Sequence, residues 1–310
     1  MPETAGDPQG EHKWVRTSLR KLSERLAQAG HVVSAPTLGR LLRKHDYSLH
    51  VNVKEKEAGS QHPDRDTQFQ YIEGQKQAFR AKGRPIISVD TKNKELIGNF
   101  KNAGQQWSQH PQPVNAHDFL SQAQGRAVPY GIYDLQRNEG AVYVGRSADT
   151  PEFAVTAIAR WWEGWGRMAY PDASELLILA DAGGSNGCRP RLWKEQLQSQ
   201  LSDRLGLTVT VCHYPTGCSK WNPIEHRLFS QISINWAGQP LRTWETMLGY
   251  LRNTTTTTGL RVTASLIEGI YETGKKVGDA VMQTLTVEHH DVCPQWNYTI
   301  RPRLAGAFMT

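Results

Sequence analysis

Three acidic residues fall where carboxylates can meet a cation. Asp90 and Asp181 each follow an apolar run, Ile86-Ile87-Ser88-Val89 and Leu176-Leu177-Ile178-Leu179-Ala180, so each ends a predicted strand. Ligands in open α/β sheets bind at that carboxyl edge. Either Asp alone could simply end its strand by accepting turn hydrogen bonds. If the two strands are neighbours, both carboxylates come within range of one ion. Glu225 is the candidate third ligand, in Asn222-Pro223-Ile224-Glu225-His226. With Asn222 as N-cap and Pro223 at the first helical position, Glu225 is the third residue of a helix. It could equally reach back to the cap amide as in a capping box, and spacing does not separate the two roles.

Three hard oxygen ligands suit Mg²⁺ or Mn²⁺. Two such ions, about 4 Å apart, can activate an attacking oxygen and stabilise the leaving one in an in-line displacement at phosphorus. Phosphodiester chemistry of this kind needs no nucleophilic side chain. Gly183-Gly184 is not a P-loop, and no GxGxxG follows a strand, so nucleotide binding of those types has no support. Lys92, Lys94 and Lys220 flank the acids and could hold phosphates, with solvated surface lysines the equal alternative. His226 could orient a ligand or simply pack. Cys188, Cys212, Cys218 and Cys293 form no CxxC pair, are too sparse for a disulfide scaffold, and are assigned no chemistry. A meeting of Cys212, His213 and Cys218 at a metal is conceivable, but a buried strand cysteine beside loop residues is the plainer account.

The elements that must position these acids can be read in order. A strand at Pro85–Asp90 precedes a polar insertion over 98–127. Val128–Leu135 and Ala141–Gly145 flank Gln136-Arg137-Asn138-Glu139-Gly140 as a hairpin. A helix over Pro151–Trp165 follows, with Trp161, Trp162 and Trp165 as expected core. Next come the strand ending at Asp181, a helix carrying Trp193, Leu197, Leu201 and Leu205, a strand at Leu207–His213 and a helix from Pro223. Strand, hairpin, helix, strand, helix, strand, helix implies an α/β fold with a mixed sheet flanked by helices, the order of the ribonuclease H-like fold. Continuously apolar strands are what a doubly covered sheet requires.

Upstream, Leu19, Leu22 and Leu26 make one helical stripe ending at Gly30. Ser34 and Pro36 open a second helix with Leu38, Leu41 and Leu42 on one face and Arg40, Arg43 and Lys44 mainly on the other. Two short helices, the second with a basic outer face, have the layout of a helix-turn-helix module that reads DNA, though a small helical hairpin with solvated cations looks similar. The expected organisation is this module over 11–50, a charged linker and helix over 51–84, and a catalytic domain over 85–310. The chain of 310 residues carries a net charge of +6, and residues 11–50 hold eight Lys or Arg against three Asp or Glu, which permits a nucleic-acid partner. No apolar run approaches the roughly 20 residues of a membrane helix, and the polar start lacks a signal peptide's apolar stretch. A cytoplasmic protein is expected.

Together, Asp90-Thr91-Lys92, Leu179-Ala180-Asp181-Ala182-Gly183-Gly184-Ser185 and Ser219-Lys220-Trp221-Asn222-Pro223-Ile224-Glu225-His226 closely resemble bacterial insertion-sequence transposases with the Rhodopirellula-type DDE domain. That group is similar to the mariner-like transposases. The resemblance runs from roughly Ser18 to Pro302 and takes in Thr254–Thr258 and Trp296-Asn297-Tyr298-Thr299-Ile300. It implies a ribonuclease H-like core binding two Mg²⁺ or Mn²⁺ ions through Asp90, Asp181 and Glu225. It further implies hydrolysis of double-stranded DNA at transposon ends, joining of the 3′-hydroxyl to target DNA, and a dimer or larger assembly on DNA in the nucleoid. Members usually carry more helical sequence before a region like Thr17–Tyr47, where this chain has about sixteen residues. An inactive DNA-binding remnant or regulator, and a structure-specific nuclease, are the alternatives.

Overall fold

The computed structural model describes residues 4–6, 13–15, 18–47 and 62–303, so residues 51–61 of the linker and helix expected over 51–84, and residues 11–12, 16–17 and 48–50 of the module expected over 11–50, lie outside the described residues. The chain divides into two compact units, residues 1–59 and 60–310.

In the smaller unit, β1 (Thr4–Gly6) pairs antiparallel with β2 (Lys13–Val15). Two helices follow, α1 (Leu19–Gln28) and α2 (Ala35–Lys44). The second starts at Ser34 as the sequence predicts and the first at Ser18: the Ser18 and Ser34 hydroxyls accept the Lys21 and Thr37 amides, each at 3.3 Å. Such caps satisfy amides that the first helical turn leaves without partners. Gly30, at φ +87°, ends the first helix. Leu22 and Leu38 are buried between the helices, while Arg40, Arg43 and Lys44 are exposed.

The larger unit opens with α3 (Arg65–Ala81), β3 (Ile86–Thr91), β4 (Glu95–Ile97), β5 (Gly125–Asp134) and β6 (Glu139–Gly145). α4 (Pro151–Trp161) runs through a π turn into the short α5 (Arg167–Ala169), followed by β7 (Glu175–Asp181), α6 (Arg191–Gln196) with its own π continuation, and β8 (Thr208–Tyr214). The chain closes with α7 (Ser230–Asn235), α8 (Trp244–Arg252), β9 (Arg261–Ile267), α9 (Asp279–Gln283), β10 (Val287–His289) and β11 (Asn297–Ile300).

Nine strands form one mixed sheet in the order β10-β11-β8-β7-β3-β5-β6-β9, with β4 paired to β5. β3 is antiparallel to β5 and parallel to β7, β5 is antiparallel to β6, and β7 is parallel to β8. Numbered by their order in the chain, these five central strands lie three-two-one-four-five across the sheet. That is the ribonuclease H-like arrangement expected from the sequence.

Alternation along β7 explains its unbroken apolar run. Leu176, Ile178 and Ala180 pack with Phe153, Ile158, Trp193 and Leu197 on one face, and Leu177 and Leu179 pack with Ile72, Phe79 and Tyr214 on the other. Both sheet faces are covered, so neither set can be polar. α3 belongs to this core: Gln68 is fully buried and its amide donates to the His213 carbonyl at 2.9 Å and to Asn297 Oδ1 at 2.8 Å. Trp161 and Trp162 are buried as expected. Trp165 departs from that expectation, because the π turn at Trp162–Gly166 rotates it outward to 43 % exposure, where its indole N–H donates to Glu139.

Candidate active site

β3 and β7 run parallel with Ser88 opposite Leu179, and two residues further that register sets Asp90 against Asp181. The pairing arises from the fold, since the strands are 91 positions apart in sequence. Burial, the larger cause, pushes the Asp90 carboxyl up to about 8, with the charges of Asp181, Glu225 and Asp149 adding to it. The Thr91 amide, donating to Asp90 Oδ1 at 2.8 Å, opposes the rise. Asp181 is pushed up to about 6, again mainly by burial and further by Glu225, while the Asn222 amide pulls it down. Like charges gathered in a poorly solvated place produce this pattern. Among the described residues, none of the three acids has a basic partner within ion-pair distance.

Glu225 begins a π turn over Glu225–Phe229, an irregularity frequent at functional sites. The capping box that its spacing allowed does not form. The Ile224 amide is taken by the Ser88 hydroxyl of β3 at 3.1 Å, and the Asn222 side chain turns away from its own helix to donate to Val89 O at 3.3 Å and Asp181 Oδ1 at 3.1 Å. Ile224, Leu228 and Phe229 seat the turn on β5 and β6, against Gly131 and Gly140, where a methyl group would meet Phe229 or Leu228 within 2.5 Å. Gly131 is the residue opposite Asp90. Three separate chain segments therefore bring their acids within electrostatic range of one another.

The sequence reading missed a fourth acid. Asp149 accepts from the Thr91 hydroxyl at 3.1 Å, and its charge acts on Asp90. It precedes Thr150-Pro151 and so reads as part of a helix start, but the cap is Thr150, whose hydroxyl accepts the Phe153 amide at 3.2 Å. Tyr130, on the neighbouring strand, is fully buried within electrostatic reach of Asp90 and Asp149, and its hydroxyl has no hydrogen-bond partner among the described residues. Beneath Asp181, His213 Nδ1 lies 2.9 Å from the Asp181 carbonyl and Nε2 lies 3.2 Å from the Tyr298 hydroxyl. Burial holds this imidazole down at about 4, hence neutral. A carbonyl only accepts, so Nδ1 carries the proton and Nε2 accepts from Tyr298. Among the described residues, no three His, Cys, Asp or Glu side chains stand ready-placed around a single ion.

The family model for the Rhodopirellula transposase DDE domain matches residues 1–302. The chain belongs to this family. Solved structures similar to it include the Mos1 transposase paired-end complex with the left transposon end and the Mos1 mariner paired-end complex with Mn, each at 15% identity and a TM-score of 0.45, covering 76% of this chain and 65% of the other. A pre-cleavage Mos1 transpososome is similar at 14% identity and a TM-score of 0.41, covering 76% and 66%. The chain thus spans 65% of the length of the first of these structures. No curated protein matches it.

In this DDE-domain chain the lysines near the acids differ in their freedom. Lys92 is committed: its ammonium lies 2.8 Å from Glu95 and 4.8 Å from the Trp236 ring centroid, with the side chain 10% exposed. Lys94 is exposed and, with Arg126, lines a cavity of about 420 Å³ that also touches Thr91 and Asp149. A second cavity, of about 620 Å³, is also lined by Asp149 and includes Ser185, Arg191, Lys275 and Lys276. Lys220 is exposed, 5.1 Å from the neighbouring Trp221 ring centroid. His226 turns back onto the Lys220 carbonyl, a contact that holds the loop before the turn.

Proposed function

We propose that this chain is a DNA transposase whose catalytic and metal-binding residues are Asp90, Asp181 and Glu225. The observation that supports the reading is their convergence from β3, β7 and the turn after β8 to within electrostatic range of one another, with no basic side chain in ion-pair distance of them among the described residues. Such a cluster is costly as it stands, and a divalent ion is the partner that relieves it. The donor set fits Mg²⁺ or Mn²⁺, being all carboxylate oxygen. When bound, two such ions would supply charge to the attacking and leaving oxygens of a phosphodiester.

The chain's own residues then have separable tasks. Asp90 and Asp181 would hold the ions from their strand ends, and Glu225 would complete the set from the seated turn. Lys94, Arg126 and Lys276 line the approaches and bind phosphates, with Lys220 beside the turn; Arg40, Arg43 and Lys44 of the smaller unit contact duplex DNA. Lys92 braces the β3–β4 corner through Glu95 and Trp236. The substrates in this reading are the transposon ends, hydrolysed to leave a 3′-hydroxyl, and the target DNA that this hydroxyl attacks. Two ends must be brought together for that, which calls for a dimer or larger assembly in the bacterial cytoplasm, at the nucleoid.

The test is Mn²⁺-dependent nicking and joining of labelled DNA bearing the element's own ends, with wild type compared against Glu225→Ala. Losing an ion ligand removes several kcal/mol of transition-state stabilisation, so the variant should fall by on the order of a thousandfold or more with its fold and DNA affinity retained. Near-normal activity in Glu225→Ala removes that residue from the site. Nicking without joining by the wild type would instead describe a nuclease.

A further inference from the structure

The acids do not account for two fully buried polar residues beside them, Ser88 and Asn222. Their hydrogen bonds fix every donor. The Ser88 hydroxyl accepts the Ile224 amide at 3.1 Å and donates to Asn222 Oδ1. The Asn222 side chain faces the Val89 carbonyl at 3.3 Å, a group that only accepts, which places its amide nitrogen on that side, and the second hydrogen goes to Asp181 Oδ1 at 3.1 Å. Through these two side chains, the strand of Asp90, the carboxylate of Asp181 and the turn of Glu225 are joined directly.

We infer that Ser88 and Asn222 are positioning residues, a latch that locks the Glu225 turn onto β3 and orients the Asp181 carboxylate. The inference rests on the assignment of Glu225 and Asp181 to the active site. Asparagine suits the task because it donates to a carboxylate without neutralising it. An arginine or lysine there would compete with any cation for the same charge. Serine suits its side because one oxygen both accepts from the turn and donates to the asparagine. Breaking either bond strands a buried donor or acceptor, and the turn itself has no side-chain cap of its own. Groups that orient metal ligands in this way typically carry tenfold to a hundredfold effects.

The experiment uses the full chain with Ser88→Ala, the rescue variant Ser88→Thr, which restores the hydroxyl, and the near-isosteric Asn222→Asp, which replaces the donor. Amide hydrogen exchange over 222–229 is read beside single-turnover nicking at saturating DNA and the DNA dissociation constant. The latch predicts at least about tenfold faster exchange over 222–229 in Ser88→Ala with β3 and β7 unchanged. It also predicts nicking slowed by about tenfold to a hundredfold at unchanged DNA affinity, and recovery of both in Ser88→Thr. Asn222→Asp, which also places an anion beside Asp181, should lose nicking at least as severely, and it decides the matter if Ser88→Ala does not fold. Wild-type exchange in a folded Ser88→Ala, or faster exchange with unchanged nicking, overturns the inference. If the wild type does not nick DNA, the transposase reading fails by itself, while the exchange comparison still decides whether the latch holds the turn.

Discussion

Asp90 is the residue at which folding and chemistry pull apart. Its carboxyl titrates near 3.8 in an ordinary setting and near 8 here, chiefly through burial and then through Asp181. Between those values the folded protein holds a proton that the unfolded chain has released, so the contribution of Asp90 to stability is fully present below about pH 4 and is lost as pH rises towards 8. Asp181, raised to about 6, adds a loss of the same sign over a lower window. Without divalent ions, Asp90→Asn removes the larger of these losses and should stabilise the protein by several kcal/mol at pH 8.5. At roughly 2–4 °C per kcal/mol this is a rise in Tm of at least about 5 °C, shrinking towards zero at pH 4. The same substitution should abolish nicking. Saturating Mn²⁺ should raise the Tm of the wild type at pH 8.5 and leave that of Asp90→Asn nearly unmoved. An Asp90→Asn protein no more stable than wild type at high pH would mean that the cluster is solvated and uncoupled.

At the scale of elements, the geometry depends on how closely the Glu225 turn approaches the sheet. A methyl group on Gly131 would lie 2.4 Å from Phe229 Cε1 and 2.9 Å from Ile224 Cδ1, both on buried side chains. Gly131→Ala should therefore cost about 1–3 kcal/mol by overpacking and, by lifting the turn from β5, slow nicking more than it weakens DNA binding. Thermal melts with single-turnover kinetics check this, and a destabilised variant with wild-type rate would show that the seating is not tied to the chemistry. The sequence discloses these elements but not their contacts. Apolar runs ending in Asp90 and Asp181 marked β3 and β7, and the hairpin of β5 and β6 was plain from its turn residues. Asn222, by contrast, looked like a helix cap because a local pattern cannot show a partner 134 positions away on β3. Asp149 was hidden for the same reason, inside what reads as a helix start. The π turns at Trp162–Gly166 and Glu225–Phe229 add a residue to a helical period, which is why regular helical spacing predicts Trp165 in the core while it stands outside it. Gln68 lay in a stretch read as linker and helix, and its burial arises from Asn297, 229 positions distant.

On the proposed reading, the two compact units, 1–59 and 60–310, would divide the handling of DNA. The larger unit contains the acid cluster and its neighbouring cations. The smaller one contributes an α2 face in which Arg40, Arg43 and Lys44 are exposed. If that face contacts duplex DNA, replacing all three with Gln removes up to three phosphate contacts. The slope of log affinity against log salt should then become shallower by about 2–3, since each contact contributes about 0.9. Affinity at moderate salt should drop, and the nicking rate at saturating DNA should stay within about twofold of wild type, because the acids and their latch are untouched. An unchanged salt slope would exclude these residues as DNA contacts. The comparison of element ends with random DNA separates two modes of binding. An equal loss on both would mean that the three side chains only position the duplex, whereas a loss confined to the ends would mean that α2 reads bases and carries the specificity of the chain.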